Sequence, residues 1–402
     1  MLEAQEARGL ERYRALFRTR YAGALIACSI VARVPMGMAA LSLVLLVRDG
    51  GAGYGEAGLV AAAFAIAAAV GAPYAGRQVD RSGGHRVLRR RMVLFPLSFG
   101  LVAVLGEIGA PIVTIAIAAA AAGLTLAPVS SVLRSIWPTV AGPDGAKTAY
   151  ALDAALQEVV FIGGPLLVAI LAVLDPAAAV AGAALFSAAG TFAFSRLPPV
   201  RAAGPAQERH SARLGALSAV GVRTLALLSL WLGLGFGSAE IAVPAFAEAE
   251  GNRALAGVAL AGFAAGSLVG GLLAGLRPSR DERRRIILGS VVLTGLMALP
   301  LAAGSIGAMT ALLFLAGLPI APVVAGIYGQ IGRVAAAGSV AEAFSWFGTS
   351  ISIGIAGGSV AGGWLIDQEG WRAAVLLGII CLGGGALSTA LRHGTLAPPE
   401  RA

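Results

Sequence analysis

Six ionisable residues stand inside otherwise apolar stretches of this 402-residue chain: Arg33, Arg134, Asp153, Glu158, Glu240 and Glu342. A charge at the centre of a bilayer costs at least about 2.5–3.5 kcal/mol, so each one needs either a partner or a task. Arg33 and Glu158 lie at similar depth in runs that enter from the same side, and Arg134 and Asp153 share a shallower depth. Two readings stand beside each other. The four residues form two buried ion pairs that fix helix packing, or they carry a substrate or a proton. The Arg134–Asp153 spacing favours packing, whereas Arg33 and Glu158 reach the midplane, where transporters bind. A carboxylate there, close to Arg33, suits a proton-coupled site. Glu240 has no evident partner and faces a cavity or a water pocket. Tyr328, Gln330, Trp346 and Phe347 are candidates to line the same cavity.

Other chemistry is missing from the pattern. His85, His210 and His393 fall in loops or ends, so no embedded histidine relay is expected. No cluster has metal-ligand spacing, no nucleophile stands beside a base, and no phosphate-binding loop occurs. An enzyme is therefore not expected, and neither is a resident metal.

The elements that position these groups follow from composition. Some 57% of residues are hydrophobic and 13% charged, about half the charge of a soluble domain. Apolar runs near 21–47, 54–76, 92–108, 111–137, 148–174 and 176–196 precede a polar stretch, and runs near 221–247, 255–276, 286–303, 305–332, 339–366 and 371–391 follow it. Each is long enough to cross a bilayer. The chain thus divides into an interfacial lead-in (1–20), a six-span half (21–196), a linker (197–220), a second six-span half (221–391) and a tail (392–402). The expected fold is an all-α polytopic membrane protein of twelve helices in two pseudo-symmetric bundles.

Arginine sets the orientation. The lead-in, the linker and the connections "GRQVDRSGGHRVLRRRM" (76–92) and "RPSRDERRR" (277–285) hold most of it. The opposite side offers only Arg48, Arg253 and Arg372, each beside acids. Both termini and the linker are expected in the cytoplasm. The basic stretches are short and bracketed by spans, which argues against nucleic acid as partner. Cys28 and Cys381 lie in apolar runs, so no disulfide is implied.

The halves repeat each other. "AGLVAAAFAIAAAVGAPYAGRQVDR" from Ala57 aligns with "AGVALAGFAAGSLVGGLLAGLRPSR" from Ala256, and "AGLTLAPV" from Ala122 with "AGLPIAPV" from Ala316. Two parallel halves that rock about a central site are what alternating access requires.

Between spans two and three stand Gly76, Asp80, Arg81 and Gly83, followed by Arg86 and Leu88. This pattern resembles the loop signature of the major facilitator superfamily, and with twelve spans and a central linker the resemblance covers nearly the whole chain. Gln78 and Gly84–His85 depart from it, and in the second copy Ser279 occupies the position of Asp80. Gly163, Gly164 and Pro165 resemble the Gly-Pro element of antiporter and efflux branches, in shortened form.

The resemblance implies a secondary active transporter that moves a small molecule by alternating access, as proton-coupled efflux. A proton-symport importer, a non-transporting receptor or an enzyme on the same fold are the alternatives. It further implies a monomer in the cell membrane, with the bilayer and a small-molecule substrate as its partners, and the proton motive force in place of a cofactor. Asp80 is expected against the start of span eleven near Gly338–Ser339, with Arg81 and Arg86 completing a cytoplasmic contact between the halves.

Overall fold

The computed structural model describes residues 2–206, 215–251, 255–276, 279 and 281–397, without the side chains of 2–9, 54 and 55. His210, Arg253, Arg277 and the middle of the linker lie outside the described residues. Every regular element among those described is helical. A short helix α1 (Leu2–Arg18) leads into the first half: α2 (Ala22–Asp49), α3 (Tyr54–Ser82), α4 (Gly84–Glu107), α5 (Ile112–Thr125), α6 (Val129–Ala172) and α7 (Pro176–Arg196). A five-residue helix α8 (Pro198–Ala202) opens the linker. The second half holds α9 (Val220–Ala249), α10 (Ala256–Leu276), α11 (Glu282–Leu296), α12 (Ile306–Gly317), α13 (Ile320–Val334), α14 (Val340–Glu369) and α15 (Trp371–Leu391).

Ten stretches are long and apolar enough to be spans. One of these, 112–172, is two crossings, because Gly142 (φ 71°, ψ 171°) turns the chain inside α6. Positive φ suits glycine, which has no Cβ to clash. The remaining crossing is α4, whose first turns carry Arg86, Arg89, Arg90 and Arg91 before its apolar body. Twelve spans result.

The duplication is visible in the packing. Span one packs on spans five and six as span seven packs on eleven and twelve; span two packs on four as eight on ten; span three packs on six as nine on twelve. Both copies of the "AGLxxAPV" sequence interrupt their helix: α5 ends at Thr125 before α6 resumes, and α12 ends at Gly317 before α13 resumes. A Cβ on Gly123 would press on the Phe64 carbonyl and lie 2.9 Å from the Ala68 nitrogen. One on Gly317 would press on the Phe263 carbonyl and lie 3.0 Å from the Ser267 nitrogen. The same glycine brings the same two helices into backbone contact in each half, the small-residue packing that membranes favour.

A break inside a membrane frees carbonyls that need donors. In span four the donor is Arg91, whose Nη1 lies 2.8 Å from both the Leu124 and Leu126 oxygens. The tail is docked rather than free as far as Ala397. A 3-10 turn (His393–Leu396) buries Leu396, which accepts a hydrogen bond from Gln330 of α13, and the Thr395 and Thr224 hydroxyls lie 2.9 Å apart.

Candidate functional site

Three groups of polar residues sit between or within the halves. The first closes the arginine-rich face, here called the basic face. Helix α14 begins at Val340, and its N-cap Ser339 makes no capping bond of its own. Its orphan N–H groups are capped instead from the other half. Asp80, in the last turn of α3, accepts from Ala341 N (3.0 Å) and Glu342 N (2.9 Å). A carboxylate at these positions satisfies two donors and meets the positive end of the helix dipole. Gly76 is needed one turn earlier, since its Cβ would lie 2.5 Å from Ser345 Oγ and 2.6 Å from the Ala341 carbonyl.

Beside this cap, Arg77 grips Glu342 in a two-point contact of 2.7 and 3.1 Å. Arg81 and Arg86, expected to complete the contact, are exposed and take no part in it. The helix explains the exchange. Arg77 lies one turn before Asp80–Arg81, on the side that faces α14, whereas Arg81 follows Asp80 by about 100° of rotation. Gly83 is also buried, packed beneath Ala203–Pro205 of the linker, while the Asp80 carbonyl accepts from Ala206 N at 2.8 Å. In the second copy Ser279 bonds, among the described residues, to Asp281, and Asp281 caps its own helix at Arg283 N and Arg284 N.

The second group is buried inside the first half. Asp153 Oδ1 lies 2.7 Å from Arg33 Nη1, and Asp153 Oδ2 lies 2.7 Å from Arg134 Nε. Arg33 also donates to the Ser29 carbonyl (3.1 Å) and hydroxyl (3.2 Å). The Arg134 guanidinium stacks 3.8 Å over the Tyr328 ring, which belongs to the other half. The expected pairing of Arg33 with Glu158 is therefore wrong: Arg33 and Arg134 share one carboxylate. Equal depth was the only guide in the sequence, and depth ignores rotation. Glu158 follows Asp153 by five residues, about 140° around the helix at roughly 100° per residue. It faces away from α2. Gln157, four residues on, keeps to the Arg33 side at 3.5 Å.

The third group is where Glu158 does point. It is half-buried and accepts a hydrogen bond from Ser267 Oγ of α10 at 2.9 Å, across the seam between the halves. It makes no ion pair among the described residues. Glu240 of α9, in the opposite half, is exposed and makes no ion pair among the described residues. Below them, Tyr150, Tyr328, Phe344 and Phe347 form an aromatic layer, three pairs edge-to-face and Tyr150–Phe344 tilted, with centroids 5.0–6.3 Å apart. Tyr328, Gln330 and Phe347 were candidates to line a cavity; all three are buried. Aromatic rings pack where they can shed water, and here they seal the basic side of the seam.

Gly164 brings span five onto span one, since a Cβ there would lie 2.6 Å from Gly37 Cα; Gly163 faces open space. Pro165 lies inside the helix directly after them. Among the described residues no three His, Cys, Asp or Glu side chains group as metal ligands.

The family model for the major facilitator superfamily matches residues 25–253 and 225–402. The chain belongs to that superfamily. No curated protein sequence matches it. Among solved structures, a bacterial homologue of the iron transporter ferroportin in an outward-facing state is similar at a TM-score of 0.75 and 14% identity, covering 92% of this chain and 99% of that one. The Escherichia coli fucose:proton symporter gives 0.69 and 15% over 93% and 99%, and the human organic anion transporter MFSD10 gives 0.66 and 15% over 96% and 99%. At such identity the likeness is one of fold. Superfamily membership makes the chain a transporter of the secondary class, embedded in a membrane.

Several functional contacts of this superfamily member were not visible in sequence. Ser267 is one serine among many, Arg77 stands outside the positions that carry the loop resemblance, and Arg91 reads as one more topology arginine. Helix α1 was read as interfacial, but it also reaches the second half. Tyr13 donates to the Leu272 carbonyl (2.9 Å) and Arg12 to the Leu276 carbonyl (3.2 Å). Burial pushes the Tyr13 hydroxyl up to about 12, with Arg285 pulling the other way, so it remains a neutral donor at physiological pH.

Proposed function

We propose that the protein exports a small molecule through the cell membrane in exchange for protons, with its basic face in the cytoplasm and Glu158 as the coupling carboxylate. The observation that carries this reading is the Glu158–Ser267 hydrogen bond across the seam, at a carboxylate that no arginine neutralises. Such a group changes its surroundings whenever the halves move, and a proton is the simplest cargo for it. Asp153, held by two arginines within one half, has the geometry of a packing element.

The closed basic face supports an outward-facing resting conformation, in line with the state named for the ferroportin homologue. From there a proton taken up at Glu158 loosens its bond to Ser267, the halves rock, and release inside accompanies loading of the substrate. Glu240 lies nearer the outer end of α9 and provides a second acidic stop on the same route.

The test is Glu158→Gln in proteoliposomes. Glutamine keeps an acceptor for Ser267 but cannot exchange a proton. Uphill transport driven by a pH gradient should be lost, while substrate counterflow persists. Uphill transport at the wild-type rate would assign Glu158 a structural role. Running the assay with the gradient in both directions separates export from proton symport.

A further inference from the structure

On the lipid-facing side of the first half, the basic face has a cavity of about 180 Å³ that the transport reading does not use. It lies between the first turns of α4, the last turn of α7 and helix α8. His85, Arg89 and Met92 enter it from α4 at the i, i+4, i+7 spacing of one helix face. Phe192 and Arg196 close it from α7, and Arg201 reaches it from α8. The volume equals that of about six waters at roughly 30 Å³ each, room for a tetrahedral oxyanion and its shell.

The cavity is charged on one side and greasy on the other. Arg89, Arg196 and Arg201 are exposed, and none has a carboxylate partner among the described residues. His85 donates from Nδ1 to the Ser195 carbonyl at 2.8 Å, which fixes its ring and leaves Nε2 without a partner among the described residues. The Arg196 guanidinium lies 4.9 Å over the Phe192 ring, held in place by that contact. Deeper into the bilayer, one apolar strip continues from this mouth. Val93 and Leu97 follow Arg89 at four-residue steps on α4, 50% and 67% exposed, and Leu185, two turns before Phe192 on α7, is 69% exposed.

We propose that this cavity binds an anionic phospholipid, its phosphate among Arg89, Arg196 and Arg201 and one acyl chain along Phe192, Val93 and Leu97. Basic pockets between membrane helices recognise such headgroups. A free phosphate would use the guanidiniums and ignore the strip; a lipid uses both. Because Arg201 opens the linker, the lipid would join the linker to the first half.

Native mass spectrometry of the purified, delipidated full chain with added phosphatidylglycerol tests this. Each Arg→Gln change should weaken retention about fivefold, from roughly one unit of surface charge attraction, and the triple variant roughly a hundredfold. Arg14→Gln/Arg18→Gln on α1 should change nothing. Phosphatidylcholine should bind at the level of the triple variant. Retention within twofold of wild type in the triple variant overturns the site. Full displacement of phosphatidylglycerol by millimolar inorganic phosphate shows a free-oxyanion site and overturns the lipid. Should the triple variant not fold, Arg201→Gln alone decides, because it lies on an exposed turn: unchanged retention rejects the proposal.

Discussion

Replacing Asp80 by asparagine removes the cap that one half places on a helix of the other. The native carboxylate makes two bonds, of 3.0 and 2.9 Å, to Ala341 N and Glu342 N. Bonds to a charged group contribute about 1.5–3 kcal/mol each, and the helix N-terminus adds about 0.3–1 kcal/mol. Asparagine keeps one neutral bond of about 0.5–1.5 kcal/mol, and its amide NH2 meets the other N–H head on. Discounting for the partial exposure of Asp80, the net loss is about 2–3 kcal/mol, or roughly 30- to 150-fold in the conformational equilibrium. A 99:1 preference for the closed basic face would fall to roughly 3:1 or below. Spin labels at exposed Arg86 and Ala337, in a Cys28→Ser/Cys381→Ser background, report the distance across this face. A second, longer distance should appear in Asp80→Asn, with expression near wild type and transport reduced. A single wild-type distance together with wild-type flux would refute the reasoning.

Two further outcomes follow from the buried groups. Asp153→Asn leaves two guanidiniums facing a neutral group and should destabilise the first half by about 3–5 kcal/mol; SDS-titration unfolding in mixed micelles measures it, and a change below about 0.5 kcal/mol would mean that the triad is not a packing element. Gly164→Leu must push span five off span one at Gly37, so the detergent-solubilised variant should aggregate at lower temperature, whereas Gly163→Leu, facing open space, should melt like wild type.

Much of the fold could be read from residue type alone. Apolar run length and arginine placement mark the spans, and the two "AGLxxAPV" copies announce helix breaks that the packing then reproduces. The loop pattern led to Asp80 near the start of span eleven, two residues short of the N–H groups it meets. What was illegible depends on rotation about a helix axis. Arg33 met Asp153 instead of Glu158, and Arg77 took the place given to Arg81, because position along a span fixes depth but leaves azimuth open. Ser267 and the Leu272 and Leu276 carbonyls were beyond reach for a different reason. Their partners lie in the other half or on α1, and no local spacing encodes such a distant contact.

The two copies of the loop differ in one respect that matters for how the basic face closes. In the first, Asp80 caps a helix of the opposite half; in the second, Asp281 caps the helix that follows it, and nothing of that cap crosses the seam. Duplication alone would therefore leave one flank of the face open. Helix α1 supplies the missing bonds with the opposite polarity. There a carboxylate meets free N–H groups at a helix start, whereas Arg12 and Tyr13 meet carbonyls in the last two turns of α10. Neither involves Glu158 or Glu240, so closure of this face can be adjusted without touching them. It also explains why the expected effect of Asp80→Asn is finite: the α10 flank keeps its two bonds, and the halves separate from one side only.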